Sequence, residues 1–315
     1  MSYLLGVDGG ATKTVAQISD IGGSVIVEKL SGSSNYKSSG ISKATVNLGN
    51  SILEAINELN INEPVKIPIF LSACFGLAGC DSTYDIEIYK KIIFNKKIKK
   101  YLPPKKILIC NDTRIGLAVG SNNNNNKVIL ISGTGANCYG INEKGQEAHS
   151  NGWDYILGDE GSGYSMGLKA LKAIMKAYDN RGPKTMLTGI VLQTLGLQTE
   201  MDLMDWIYDE KFSKDKVASI GKILCDTAEL DDRVSVKILK EEAGEAVISA
   251  MAVIKKLGLK NKEFDFIFVG NLFKTDKYFK EILTDKLKKA CSKIKFVPLN
   301  NKPVTGAIKI AKDML

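Results

Sequence analysis

Histidine is almost absent: His149 is the only one among 315 residues. A histidine metal cluster is thereby excluded, a Ser-His-Asp triad would have to use that one residue, and His149 reads as a surface side chain. The six cysteines, at positions 74, 80, 110, 138, 225 and 291, make no C-x-x-C pair. Cys110 and Cys138 sit in apolar, strand-like contexts, so the set reads as plain thiols in a reducing, cytoplasmic setting. No apolar run approaches the roughly 18 residues of a membrane span. Met1-Ser2-Tyr3-Leu4-Leu5 has no basic residue and meets Asp8 too soon for a signal peptide, so no membrane partner is expected. Hydrophobic content of 44% and charged content of 25% describe an ordinary globular chain, long enough for two domains. A net charge of +8 raises the question of nucleic acid. The lysines of 95–100 and 286–289 alternate with apolar residues at helical spacing, with no aromatic platform and no recognised nucleic-acid motif. They read as solvated helix faces, and nucleic acid is not an expected partner.

Glycine is what the chain places with care. Residues 6–14, GVDGGATKT, pack three glycines, an aspartate, two threonines and a lysine between two apolar runs. A P-loop would need glycine before Lys13, where Thr12 stands, and a helix after it. Instead Thr14 to Ser19 is strand-like, Asp20-Ile21-Gly22-Gly23 is turn chemistry, and Ser24 to Val27 is strand-like again. The order recurs in VILISGTGANCYGINEKGQEA at 128–148: an apolar strand, the turn Gly133-Thr134-Gly135, a second strand over 137–141 and a polar turn. A Rossmann reading of Gly133-x-Gly135 would need a third glycine where Cys138 stands. Two such hairpins predict a duplicated fold.

Strands are expected at 3–7, 15–19, 25–29, 67–71, 107–110, 128–132, 137–141 and 266–269. Helical periodicity marks 42–59, 85–93, 162–178, 213–230, 235–257 and 277–290. Strands followed by helices in each half make the fold class α/β. The expected domains are 1–120 and 121–302, divided near the asparagine run 122–126, with a helix at 303–315 that can fold back on the first.

Six stretches occur in order: Gly6 to Thr14, Ser33-Ser34-Asn35-Tyr36, Gly76-Leu77-Ala78-Gly79, Asn111-Asp112, Ser132 to Asn137, and Gly152-Trp153 through Gly158-Asp159-Glu160-Gly161-Ser162. Together they resemble the N-acetylglucosamine kinase and BadF/BadG/BcrA/BcrD ATPase family, within the actin and sugar-kinase superfamily, over nearly the whole chain. The resemblance implies two duplicated actin-like (ribonuclease H-like) domains with ATP in the cleft between them. It implies an ATP-dependent kinase acting on the 6-hydroxyl of an N-acetylated amino sugar, with ATP and Mg²⁺ as cofactors and a homodimer as the assembly.

By the same resemblance Asp8, Gly9, Gly10, Ala11, Thr12 and Lys13 form the first phosphate loop and Gly133, Thr134 and Gly135 the second. Glycine suits such loops because a side chain would block backbone N–H groups from phosphate oxygens. Asp8 is placed to hold magnesium through water, although a turn aspartate is the plain alternative. Asp112 follows the strand 107–110, where the family's catalytic base stands; taken locally, Asn111-Asp112-Thr113 is equally good helix-capping chemistry. Asn35, Asp112, Ala136, Asn137, Gly152, Trp153 and Asp159 would line the sugar site. Trp153 could instead be core, and Asp159 to Ser162 could simply start a helix. Gly270 and Asn271 resemble the adenosine motif, which more often carries two glycines.

The family's usual Gly-Gly-Trp-Gly is here Asn151-Gly152-Trp153-Asp154, which bears on sugar specificity and motivates N-acetylmuramic acid as a second acceptor beside N-acetylglucosamine. Two alternatives use the same superfamily: a glucosamine kinase, and the ATP-driven redox activator of a 2-hydroxyacyl-CoA dehydratase. The activator's Gly-Gly-Gln-Asp stretch is missing. A sugar-sensing regulator would need a helix-turn-helix extension and a zinc motif, and neither is in the sequence.

Overall fold

The computed structural model describes residues 2–62, 68–103, 105–120, 125–210, 212–275, 277–299 and 301–315. Ile67, expected to open a strand, and 122–124 of the asparagine run lie outside the described residues. The chain divides into two compact units, one of residues 1–123 with 298–315 and one of residues 124–297.

The first unit begins with β1 (Ser2–Gly9), β2 (Lys13–Asp20) and β3 (Val25–Gly32), then α1 (Tyr36–Ser39) and α2 (Ile41–Asn62). It continues with β4 (Ile69–Leu77), α3 (Thr83–Ile93), β5 (Ile107–Cys110) and α4 (Asp112–Gly120). The second unit holds β6 (Lys127–Ser132), β7 (Ala136–Ile141), β8 (Glu147–Asn151), α5 (Gly163–Tyr178), α6 (Leu187–Leu195), α7 (Asp202–Tyr208), α8 (Lys214–Ala228) and α9 (Arg233–Lys256). It ends with β9 (Phe264–Val269), α10 (Leu272–Thr275), α11 (Lys277–Ala290) and β10 (Ile294–Val297). The last helix, α12 (Pro303–Asp313), belongs to the first unit.

One sheet runs β3-β2-β1-β4-β5 and the other β8-β7-β6-β9-β10, the same topology twice. In each, three antiparallel strands precede two parallel additions to the first strand's free side. The first strand is therefore central and buried on both faces, which is why it reads as an unbroken apolar run. In β1, Tyr3, Leu5 and Val7 join a core with Leu48 and Ile52 of α2, while Leu4 points the other way into a core with Ala307 and Ile308 of α12. Glycine lets α12 lie flat: a methyl on Gly6 would come within 2.9 Å of the Ile308 backbone nitrogen.

Several elements escape the sequence pattern. β4 continues to Leu77, beyond the expected end at Leu71, because Ala73, Cys74 and Gly76 are small residues that carry little strand signal yet lie between β1 and β5. β8, β10, α6 and α7 carry no signal among the expected elements; the edge strands β8 and β10 are only 5 and 4 residues long. The remaining strands and long helices fall where periodicity places them, to within a few residues. No helix among the described residues is long and apolar enough to cross a membrane.

Candidate active site

Both glycine turns join the first and second strands of their sheets, so they occupy equivalent places in the two units. In the first, the Gly10 N–H donates to the Lys13 carbonyl at 2.8 Å, closing the turn. The Gly10 carbonyl accepts from the Ser34 N–H at 3.3 Å and the Ser33 hydroxyl at 3.2 Å. Ala11, Thr12 and Lys13 are exposed at its tip. A methyl on Gly9 would collide with the Ser34 hydroxyl and with Leu77, so the strand end can sit there only as glycine. The Ser34 hydroxyl is itself buried with no hydrogen-bond partner, a polar atom left over beside the turn.

Asp8 is the next-to-last residue of β1, half-buried. Burial pushes its carboxyl up to about 6 against the opposing pull of the Lys13 ammonium. Asp112 opens α4 and is pushed to about 7 by burial and then by the like charges of Asp8 and Asp81. The capping question is settled by its neighbour: Asn111 Oδ1 accepts from the Thr113 N–H at 2.9 Å and from the Thr113 hydroxyl at 2.5 Å. Asn111 is the cap, and Asp112 follows it as the first residue of α4, its carboxyl also meeting the Thr113 N–H. A carboxylate poised near 7 among other carboxylates is what a general base needs.

Asp81, which the motifs did not single out, ties this corner together. It accepts from Asn111 Nδ2 at 2.7 Å and pairs with Lys37 at 3.2 Å. Lys37 also meets Asp85 at 3.1 Å, and Asp85 accepts from the Tyr36 hydroxyl at 2.5 Å and the Ser82 hydroxyl at 2.7 Å. Burial raises the Asp85 carboxyl, but these hydrogen bonds outweigh it and hold it at about 2. Asn35, half-buried, caps α1 by accepting from the Lys37 N–H at 3.0 Å and packs on Gly79, where a methyl would come within 3.0 Å of Asn35 Oδ1. In the first unit, then, Asn35 and Asn111 both reach Asp81, the former through Lys37, and the charges of Asp8 and Asp81 both act on Asp112.

In the second unit, Gly133 faces open space and Thr134 is exposed, its hydroxyl donating to Asp215 at 3.2 Å. Gly270, at φ 123°, lies against this turn: a methyl there would overlap the Ser132 carbonyl, so the departure from two glycines keeps the one that packing requires. Asn271 is exposed beside it.

The sugar-site candidates of this unit cluster on the stretch after β8. Asn151 and Asp154, the two departures from glycine noted in the sequence, both have a left-handed backbone, at φ 67° and 72°. Asparagine and aspartate are the side-chain-bearing residues that tolerate it best. Gly152, Asp159 and Gly161 are left-handed too, at 76°, 64° and 81°. The Asn151 carboxamide binds the loop across its base, accepting from the Gly152 and Asp159 N–H groups and donating to the Glu160 carbonyl at 2.9 Å. Asn137 pairs with Asn151 in the β7–β8 register and packs on Gly152. Its Oδ1 is buried without a partner, and Ala136 beside it is buried.

Trp153 is 51% exposed and meets His149 edge-on at 4.9 Å, so the core reading fails and an aromatic face remains available. The stretch from Asp159 does lead into α5 as the helix-start reading has it: Ser162 caps the helix, accepting from the Ser165 N–H at 3.1 Å, and Asp159 stands three residues before that cap. Asp159 is buried and packs on Gly135. Its carboxylate meets Lys214 Nζ at 2.8 Å, a partner the sequence motifs did not indicate. Lys214 gets there because α5 and α8 pack backbone to backbone through Gly163, Gly167 and Gly221. Glu242, fully buried on α9, braces the same loop by accepting from the Gly161 N–H at 2.6 Å and pairing with Lys169 at 2.7 Å.

The model of the BadF/BadG/BcrA/BcrD ATPase family matches residues 5–311. The chain belongs to that family. Its curated relatives include the N-acetylmuramic acid/N-acetylglucosamine kinase of Clostridium acetobutylicum, 35% identical over 99% of both chains. The N-acetyl-D-glucosamine kinase of Dictyostelium discoideum is 32% identical over 98% of this chain and 97% of its own. A solved structure from Chromobacterium violaceum shares the fold, with a TM-score of 0.74 at 19% identity over 99% of both chains. Membership of the BadF/BadG/BcrA/BcrD family makes ATP the cofactor and the two sheets actin-like α/β units.

Proposed function

We propose that the protein transfers the γ-phosphoryl group of ATP to the 6-hydroxyl of an N-acetylated amino sugar, with N-acetylglucosamine as acceptor and N-acetylmuramic acid as a second. The reading is carried by Asp112, a carboxylate at the start of α4 raised to about 7 by burial and by the like charges of Asp8 and Asp81. Its support outside the site is the two relatives of about one-third identity whose names give these sugars. Asp112 accepts the proton of the sugar hydroxyl as its oxygen bonds to the γ-phosphorus and the bond to the β-phosphate oxygen breaks, releasing ADP. Asn35 and Asp159 take ring hydroxyls, the unsatisfied Asn137 Oδ1 and the Gly152 backbone add polar contacts, and Trp153 covers an apolar sugar face. Ala136 borders Asn137.

The turns Gly9–Lys13 and Gly133–Gly135 take the phosphates, and Gly270 and Asn271 the adenosine. Asp8 suits a hydrated magnesium ion: its donor is a hard carboxylate oxygen, and among the described residues no cluster of three or more His, Cys, Asp or Glu offers a direct cage. Such an ion supplies charge neutralisation at the phosphates. A homodimer in a reducing cytoplasm completes the reading, and the six cysteines, all buried thiols outside any disulfide, suit that compartment.

The test is ADP release over a panel of N-acetylglucosamine, N-acetylmuramic acid, N-acetylmannosamine, glucosamine and glucose, with the product phosphate located by NMR. Turnover of the N-acetylated glucosamines with phosphate on O6 is expected. Preference for glucosamine, or phosphate on O1, would reject the assignment.

A further inference from the structure

The second unit holds a cation that the proposed function leaves without a task. Lys214 Nζ lies 2.8 Å from Asp159 Oδ2 and 3.1 Å from Asp154 Oδ1, over the faces of Tyr155 and Tyr164 at 5.2 and 6.0 Å. Its two carboxylates differ. The Asp159 side chain is 6% exposed, and the Asp154 side chain is 69% exposed. One partner is thus a fixed part of the site and the other a solvent-washed anion whose ion pair with the ammonium is worth little. Burial pulls the Lys214 ammonium down, but hydrogen bonding and charge from Asp159 and then Asp154 outweigh it, so the cation stays charged.

We propose that Lys214 is the specificity residue for a carboxylate carried on the sugar, the substrate's anion replacing Asp154 at the ammonium. The inference rests on the proposed kinase function, in which Asp159 binds a ring hydroxyl. A substituent on that hydroxyl, such as the lactyl ether of N-acetylmuramic acid, enters within one contact of Lys214 Nζ. The ether oxygen has lost the proton that Asp159 would accept. The ammonium, shared between Asp159 and the lactyl carboxylate, offsets that loss and prevents two carboxylates from facing each other unscreened. An uncharged sugar leaves the Asp154 pair in place, so one site serves both acceptors.

The experiment compares kcat/KM for N-acetylmuramic acid and N-acetylglucosamine in the full-length protein, in Lys214→Met and in Asp154→Asn. Asparagine keeps tolerance of the left-handed backbone while removing the competing charge. Lys214→Met is expected to lower the muramic-to-glucosamine ratio about tenfold or more, equivalent to about 1.4 kcal/mol, and Asp154→Asn to raise it about threefold. Taking the ratio cancels any loss of fold or of Asp159 geometry common to both sugars. Equal losses for the two sugars in Lys214→Met, a ratio unmoved in both variants, or wild-type protein that turns over N-acetylglucosamine but not N-acetylmuramic acid would each overturn the proposal. Wild-type protein that phosphorylates neither sugar would instead reject the kinase reading on which it rests.

Discussion

The two units share one strand order but surround the carboxylates of their candidate sites differently. In the first, Asp8 and Asp112 are pushed up to about 6 and about 7, and the charges acting on Asp112 are those of other carboxylates. In the second, each buried carboxylate at the site has a lysine, Lys214 for Asp159 and Lys169 for Glu242. A lysine paired with a buried carboxylate fixes its geometry, whereas a carboxylate raised by burial and like charge can exchange a proton near neutral pH. Duplication supplied two equivalent frames, and the charges placed around their carboxylates distinguish them.

The largest effect that would break this contrast is expected at Asp112. Asp112→Asn keeps the shape but cannot take a proton, so kcat should fall by about 10²–10⁴, with sugar affinity changed by less than about tenfold. ADP release and calorimetric titration of the sugar check both, and near-normal turnover would remove the base from the first unit. The glycines sharpen the comparison within the second. Gly270→Ala forces a methyl onto the Ser132 carbonyl at a positive φ and should cost about 2–4 kcal/mol. Gly133→Ala meets open space and should leave the unfolding midpoint within error while weakening ATP binding. If the two substitutions destabilise equally, packing and phosphate access have been wrongly divided between these turns.

The smallest effect is a stability difference with a definite sign. Asp112 and Asp8 have raised values in the folded state, so both favour folding while protonated, and that contribution is lost as pH rises from about 4 toward about 7. Without ligands, Asp112→Asn should match the wild-type Tm near pH 4 and exceed it by about 2–4 °C at pH 8, the shift expected for about 1 kcal/mol in a chain of this size. Asp85, held at about 2, titrates below this window and does not interfere. A variant no more stable than wild type at pH 8 would mean that the Asp112 charge is compensated after all.

Much of this molecule is legible along the chain, because the signals are local. The repeated glycine hairpins, the apolar central strands and the amphipathic helices each follow from the backbone freedom or periodicity of a few adjacent residues, and they lead directly to two α/β units. Asp112 and Asp159 are legible as candidates but locally ambiguous. For Asp112 the cap falls to its neighbour Asn111, and for Asp159 the helix start falls to Ser162 three residues on, capping geometry that no spacing rule could assign. The second half of β4 is illegible because small residues between two parallel partners need no strand-forming side chains of their own.

By itself, then, the sequence determined the duplication, the turns and the identities of the carboxylates, since those depend on which residues adjoin one another. Only the tertiary structure decided what charge each carboxylate meets. Asn111 finds Asp81 30 residues away, Lys214 finds Asp159 55 residues away, and Gly161 finds Glu242 81 residues away. Coulomb interactions and desolvation depend on distance through space and on what excludes water, and the α5–α8 packing that brings Lys214 to Asp159 exists only once both helices have closed over the same core.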